Sequence, residues 1–331
     1  MAADMKGTAF FGGEYVPLAE AKISVMTHAF NYGTGTFEGI RAYWNAAEEQ
    51  LYVFRMREHF ERLHNSARIL AIDLPHSVDE LNEIGLHILR RSGFQQDVYI
   101  RPIAYKSGLG IGVSMTGVDD DFLMYCQPMG NYIDVDNGIR CCVSSWRRTS
   151  DNAIPPRAKV TGSYVNAALA KHEALVNGYD EAIMLAENGS ASEGSAENLF
   201  IIKGRTLYTP TVSDNVLEGI TRATLIEIAR TELGVPTVER AVQRTELYTA
   251  DEVFLCGTGA QVSPVVEIDK RCIGSGKVGP LTLALQRAYF DVVRGVNRAY
   301  AAWLQPVYTS PSRENEPQRA RVEEHQNVLA P

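Results

Sequence analysis

The sequence predicts an α/β protein of two domains, and three observations carry that prediction. At 331 residues the chain exceeds what one hydrophobic core usually encloses, since cores stop growing near roughly 250–300 residues. Strand-like runs of β-branched and aromatic residues alternate with apolar residues at helical spacing in both halves. Between the halves, residues 129–138 are polar and broken by glycines, as a linker is. The expected division is a first α/β domain over 1–128, an interdomain loop over 129–138 and a second α/β domain over 139–305. Residues 306–331 are expected to form a disordered tail, because a segment dominated by Pro, Glu, Arg, Gln and Asn buries too little apolar surface to offset its ordering entropy.

Taken in order, residues 9–16 predict a hairpin turning on Gly12 and Gly13. Extended segments follow at 23–26, 36–43 and 51–54. Phe60, Leu63, Ala67 and Leu70 mark a helix over 58–70, and a second runs over 78–89 until Gly93 stops it. Strands are expected at 98–105 and 122–126. The second half opens on a strand at 139–145, and a Pro-Pro break then precedes Lys159. A helix over 163–176 is closed by Gly178. Strands at 181–185 and 198–202 flank a glycine- and serine-rich turn at 188–195. A helix over 221–233 and a long final helix over 280–303 complete the pattern.

Hydrophobic residues make up 45% and charged residues 22% of the chain, the balance of a soluble globular protein. A net charge of -8 argues against nucleic acid or an anionic membrane as partner, although it leaves room for a local basic pocket. The cysteines Cys126, Cys141, Cys142, Cys256 and Cys272 form no C-x-x-C pair. Neither a zinc site nor a disulfide framework is expected, and they read as small core hydrophobes in a reducing cytosol. No basic segment precedes an apolar run at the N-terminus, and no stretch approaches a membrane span. A cytoplasmic location is the expectation.

Four short stretches carry chemistry. Pro156 to Tyr164 sets Lys159 in a short loop between strand and helix, where burial would favour the neutral amine needed for Schiff-base formation. Ser192 to Phe200 places Glu193 at a tight turn entering an apolar strand, and a buried acid there needs a cationic partner. Leu217-Glu218-Gly219-Ile220-Thr221-Arg222 puts a glycine just before a helix start. Such a backbone can cradle a phosphate, or Thr221 can simply cap the helix. Cys256-Gly257-Thr258-Gly259-Ala260 leaves backbone N–H groups exposed at a strand end. Gly108-Leu109-Gly110-Ile111-Gly112 lacks the spacing of a dinucleotide loop.

In this order, the four stretches resemble the fold type IV pyridoxal-phosphate enzymes, the branched-chain aminotransferase family. The likeness runs from Phe11-Gly12-Gly13-Glu14 to about Ala301. It includes the stretch from His28 to Arg41, Arg57 to His64, Tyr99-Ile100-Arg101-Pro102 and Ala250 to Phe254. The resemblance implies pyridoxal 5'-phosphate as cofactor, held in the cleft between the domains, and no metal. It implies that Lys159 carries the cofactor and then shuttles a proton. Glu193 would face the pyridine nitrogen and Tyr164 the ring hydroxyl, while Arg62, Leu217, Gly219, Ile220, Thr221 and Thr258 would surround the phosphate.

For the substrate, the resemblance implies branched-chain L-amino acids as donors and 2-oxoglutarate as acceptor. Tyr32, Phe37, Tyr164 and Val113 would form an apolar box, with Val113 reaching the neighbouring subunit of a homodimer or larger oligomer. Tyr99, Tyr132, Gly259 and Ala260 would hold the α-carboxylate, and Arg101 the distal carboxylate of glutamate. Met129 stands where some members carry tryptophan, which would loosen the pocket. The same cofactor residues also serve D-amino-acid and (R)-amine transaminases and aminodeoxychorismate lyases.

Overall fold

The computed structural model describes residues 7–130 and 137–308. The first half contributes β1 (Thr8–Phe11), β2 (Glu14–Pro17), α1 (His28–Tyr32), β3 (Gly35–Phe37), β4 (Ile40–Asn45) and β5 (Gln50–Phe54). It continues through α2 (Met56–Ile69), α3 (Val78–Ser92), β6 (Val98–Lys106) and β7 (Asp120–Pro128). The second half contains β8 (Ile139–Arg147), α4 (Tyr164–Val176), β9 (Glu181–Leu185), β10 (Ser190–Gly194), β11 (Asn198–Lys203) and β12 (Thr206–Thr209). After these come α5 (Ile220–Thr231), β13 (Thr237–Glu239), β14 (Val242–Gln243), α6 (Arg244–Leu247), β15 (Glu252–Gly257) and β16 (Gln261–Ile268). The last elements are β17 (Arg271–Cys272), α7 (Pro280–Val293) and β18 (Leu304–Pro306).

Two sheets result, in the order β18-β5-β4-β6-β7-β1-β2 with β3 beside β6, and β13-β12-β11-β15-β16-β8-β9-β10-β14 with β17 beside β16. Every pairing in the first is antiparallel. The second is mixed, because β8 runs parallel to both β16 and β9. Parallel neighbours need a long crossover, and the one joining β8 to β9 carries both Lys159 and α4. Helices α2 and α3 cover the first sheet over a core containing Phe60, Leu63, Leu81 and Ile88. A second cluster joins Tyr43 and Phe54 of the first sheet to Phe200, Leu225 and Tyr289, so α5 and α7 pack the sheets together.

Local signals explain several boundaries. Ser77 and Glu80 close a capping box on α3, which ends on Gly93 at φ 63°, the left-handed conformation glycine adopts without strain. Other expectations need correction. Residues 23–26 form no strand and lie exposed before α1. The small residues read as a turn at 188–195 include β10, wholly buried between β9, β11 and β14. Burial and pairing on both edges override weak strand propensity there. The helix expected over 280–303 stops at Val293, because Gly295 takes φ 73° and Asn297 caps a separate 3-10 turn.

The expected tail also begins too early. Strand β18 pairs with β5, returning the chain to the first sheet. Val307 is fully buried and the Tyr308 hydroxyl donates to the Phe94 carbonyl at 2.5 Å. Composition averaged over the segment hid two residues that dock on a specific groove. Residues 309–331 and most of the expected interdomain loop lie outside the described residues.

Candidate active site

Lys159 belongs to the second half of the chain but is held by the first. Its carbonyl accepts from Phe37 N at 3.0 Å, and the next residues lace onto β3 and its approach through Thr161 N to Gly35 O (2.8 Å) and Gly162 N to Gly33 O (3.1 Å). Lys159 N donates to Ser66 Oγ on α2 at 3.2 Å. The two backbones meet so closely that a Cβ on Gly33 would stand 2.7 Å from Gly162 Cα. Only glycine fits, and its φ of 69° suits it too. The Lys159 Nζ donates to Tyr164 Oη at 2.8 Å and lies 5.1 Å from the centre of the Phe37 ring. Tyr164 is the first residue of α4, so the helix start sets the phenol beside the amine.

Glu193 sits on β10 opposite Asn198 of β11. Its Oε1 is 2.6 Å from Arg148 Nη2, and its Oε2 accepts from Asn198 Nδ2 at 2.9 Å and from Leu217 N at 3.2 Å. Burial pushes this carboxyl above its ordinary value, and the Arg148 charge opposes the shift. Sequence reasoning missed Arg148. Its position just past the end of β8 was the available signal, since ligands collect at the carboxyl ends of parallel strands.

At the other end of the cleft α5 begins. Gly219 is its N-cap, with no side-chain cap, so the reading of Thr221 as cap does not hold. The first N–H groups of the helix are left for an anion. Any side chain on Gly219 would collide with Asn198, whose Oδ1 would lie 1.9 Å from its Cβ. Arg62 reaches this point from α2 and donates from Nη1 to Glu218 O at 2.7 Å.

Arg62 is oriented by Glu38, a fully buried acid inside the stretch from His28 to Arg41, to which sequence reasoning gave no role. Glu38 accepts from Arg62 Nε and Nη2, both at 2.7 Å, and from His59 Nδ1 at 2.7 Å. Burial alone would raise the Glu38 carboxyl, but the Arg62 charge and hydrogen bonds outweigh it and hold it far below the usual carboxylate range. Burial pushes His59 below its ordinary value, against the pull of Glu38.

The remaining wall joins both sheets. Arg101 donates to Tyr99 Oη at 2.8 Å and stacks 4.3 Å from the centre of the Phe37 ring. A Cβ on Gly39 would come 2.3 Å from Tyr99 Oη, so the glycine makes room for the phenol. Arg41 is almost fully buried; it donates to Met129 O (2.8 Å), Gly130 O (2.6 Å) and Gly259 O (3.3 Å). It thereby ties the loop after β7 to the turn between β15 and β16.

These walls enclose a cleft of about 300 Å³. Among the residues singled out from sequence, Phe37, Arg62, Tyr99, Arg101, Met129, Lys159, Tyr164 and Glu193 line it. So do Leu217, Gly219, Ile220, Thr221, Thr258, Gly259 and Ala260. Tyr32 and Val113 do not line it; the Tyr32 hydroxyl instead accepts from Gly112 N at 2.9 Å, away from the cleft. Tyr132 lies outside the described residues. The donor set fits pyridoxal phosphate: an amine beside a phenol, an acid opposite, and an uncapped helix start with an arginine.

A model of the amino-transferase class IV family matches residues 35–268, and the chain belongs to that family. A probable branched-chain-amino-acid aminotransferase of Aquifex aeolicus is 54% identical over 300 residues, covering 91% of this chain and 96% of that protein. The branched-chain aminotransferase of Thermoproteus uzoniensis, solved with norvaline, superposes with a TM-score of 0.87 at 44% identity, covering 91% of this chain and 99% of that one. The branched-chain amino acid aminotransferase of Thermobaculum terrenum, solved in its PLP-bound holo form, gives a TM-score of 0.88 at 35% identity, covering 92% of this chain and 100% of that one. Within class IV, the chain falls among the pyridoxal-phosphate-dependent branched-chain amino acid aminotransferases.

Proposed function

We propose that the cleft moves the amino group of leucine, isoleucine or valine to 2-oxoglutarate, with Lys159 as the catalytic residue. The observation that carries the assignment is the 2.8 Å contact between Lys159 Nζ and Tyr164 Oη, set between the Glu193 wall and the uncapped start of α5. Pyridoxal phosphate, when bound, supplies the carbonyl that condenses with amines and a ring that delocalises the electron pair left at the substrate α-carbon. Lys159 would hold it covalently, and the Lys159 Nζ would serve as the base for the α-proton. Tyr164 orients that amine. Glu193, paired with Arg148, would supply negative charge toward the ring nitrogen. Arg62, the backbone of Gly219, Ile220 and Thr221, and Thr258 hold the phosphate, with Leu217 packed alongside.

Phe37, Tyr164 and Met129 face the substrate side chain. Tyr99 and the N–H groups of Gly259 and Ala260 serve the α-carboxylate, with Tyr132 assigned there from sequence alone. Arg101 offers the charge that glutamate's second carboxylate requires once buried. Tyr32 and Val113 serve the site from a second copy. Val113 belongs to an exposed apolar ridge with Val25, Met26, Phe30, Leu109 and Ile111, tied together by Gly110 N to Met26 O and the Thr27–Leu109 bridge. Tyr32 joins that ridge through its contact with Gly112 N. An apolar patch of this kind marks a protein interface, so the protein acts as a homodimer or larger oligomer. Among the described residues no helix is long and apolar enough to cross a membrane, and the cytoplasm is the proposed location.

The test is Lys159→Ala. Borohydride treatment of the loaded protein should fix the cofactor to Lys159, and the variant should lose both that attachment and turnover. Retained turnover would refute the assignment, and a fully active monomer in sedimentation would refute the shared pocket.

A further inference from the structure

Behind the wall that carries Glu193, three acids crowd into the protein interior. Glu181 on β9 is fully buried, and Glu193 and Glu197 are 3% exposed. Each of the first two has a cation, Lys171 Nζ at 2.5 Å from Glu181 and Arg148 at 2.6 Å from Glu193. Among the described residues, no ion pair reaches Glu197. Its Oε2 accepts from Ala196 N at 3.0 Å, and its backbone carbonyl accepts from Gly194 N at 2.6 Å. Glu197 thus folds the tight turn that follows Glu193, and with Ser195 and Ala196 it lines the cleft. A buried carboxylate without a counter-charge is costly, and such a group takes up a proton instead.

We propose that Glu197 is a positioning residue carried as the neutral carboxylic acid, holding the turn after Glu193 while leaving Glu193 the only ionised acid on the cleft wall among the described residues. The groups around it agree. Burial first, and the Glu181 charge second, push the Glu197 carboxyl well above the usual carboxylate range, with the Ala196 N–H and Lys171 opposing. Glu193 adds to the rise. The flanking thiols Cys141 on β8 and Cys256 on β15 are themselves raised by burial, so both stay neutral. The folded protein therefore keeps a proton that the unfolded chain gives up. That contribution is complete below the unfolded pKa and lost as pH rises through the folded one. Above neutral pH a second negative charge would appear beside Glu193 and disturb the charge it offers to the ring nitrogen.

The proposal rests on this cleft being the catalytic one, and its test separates the two. In infrared spectra of the full-length, cofactor-loaded protein at neutral pH, a carboxylic-acid C=O band should be present and should vanish in Glu197→Gln. That arm reads the proton whatever the cleft binds, whereas Lys159→Ala tests the cleft alone. Glu181→Gln, which removes the raising charge, should make the band disappear at lower pH. In kinetics, Glu197→Gln should keep kcat within about threefold at neutral pH, with the alkaline fall in kcat and the accompanying shift of the cofactor's visible band displaced to higher pH. An unchanged infrared spectrum, an alkaline limb identical to wild type, or a loss on the order of a hundredfold in kcat for a folded Glu197→Gln would each overturn the proposal.

Discussion

Replacing Glu38 by glutamine removes one negative charge from the interior and changes little else in shape. In the native protein that carboxylate accepts three contacts at 2.7 Å, two from Arg62 and one from His59. Hydrogen bonds to charged groups contribute about 1.5–3 kcal/mol each. The amide can still accept, but its NH2 would face guanidinium and imidazole donors, leaving Arg62 without its counter-charge. Breaking a buried pair by removing one partner costs about 3–5 kcal/mol, on the order of a hundredfold or more in the folding equilibrium. The charge origin of the loss can be checked by pH. The folded Glu38 carboxyl is depressed, so its contribution is complete above the unfolded carboxylate value of about 4.3 and is lost as pH falls through the folded value. Urea denaturation should show a loss of about 3–5 kcal/mol for Glu38→Gln at pH 7, shrinking on acidification. A loss below about 1 kcal/mol, or one independent of pH, would show that Glu38 acts through packing and not through charge.

Three further outcomes are expected. Arg101→Ala should slow the single-turnover half-reaction with glutamate or 2-oxoglutarate by about 2–5 kcal/mol in transition-state terms while sparing that with leucine; equal losses would assign Arg101 to the shared α-carboxylate. Glu193→Gln should retain cofactor binding, read by the visible absorbance of the loaded protein, but lower kcat sharply, because a neutral amide cannot support a charged ring nitrogen. Truncation after Pro306 removes fully buried Val307 and should cost about 1.5–3 kcal/mol or more in chemical denaturation; an unchanged midpoint would show that the docked end is dispensable.

Much of this protein could be read from residue order. The periodicity of Phe60, Leu63 and Ala67 located α2, and the repeat from Val78 with the stop at Gly93 located α3, because these signals are local and act over one or two turns. The loop of Lys159, the acid Glu193 and the glycine before α5 were visible for the same reason, as short stretches whose chemistry depends on neighbours in sequence. β10 was misread because its small residues resemble a turn until three strands surround it. The final helix was overextended because apolar residues continue past Gly295, whose positive φ breaks the axis.

Other features depend on contacts between residues far apart in the chain. Arg62 meets Glu38 across 24 positions and Glu218 across 156, and Arg41 reaches Gly259 across 218. No window of sequence contains both partners of such a pair. The Arg148–Glu193 pair and the burial of Glu197 without an ion pair among the described residues likewise arise only when β8, β9 and β10 lie side by side. Residue order specified Lys159, Glu193 and Gly219 as candidates through local backbone preference and side-chain chemistry, and all three line the cleft. The burial and ion partners of the acids beside them were decided by packing, because desolvation and Coulomb interactions depend on distance in space, not on separation along the chain.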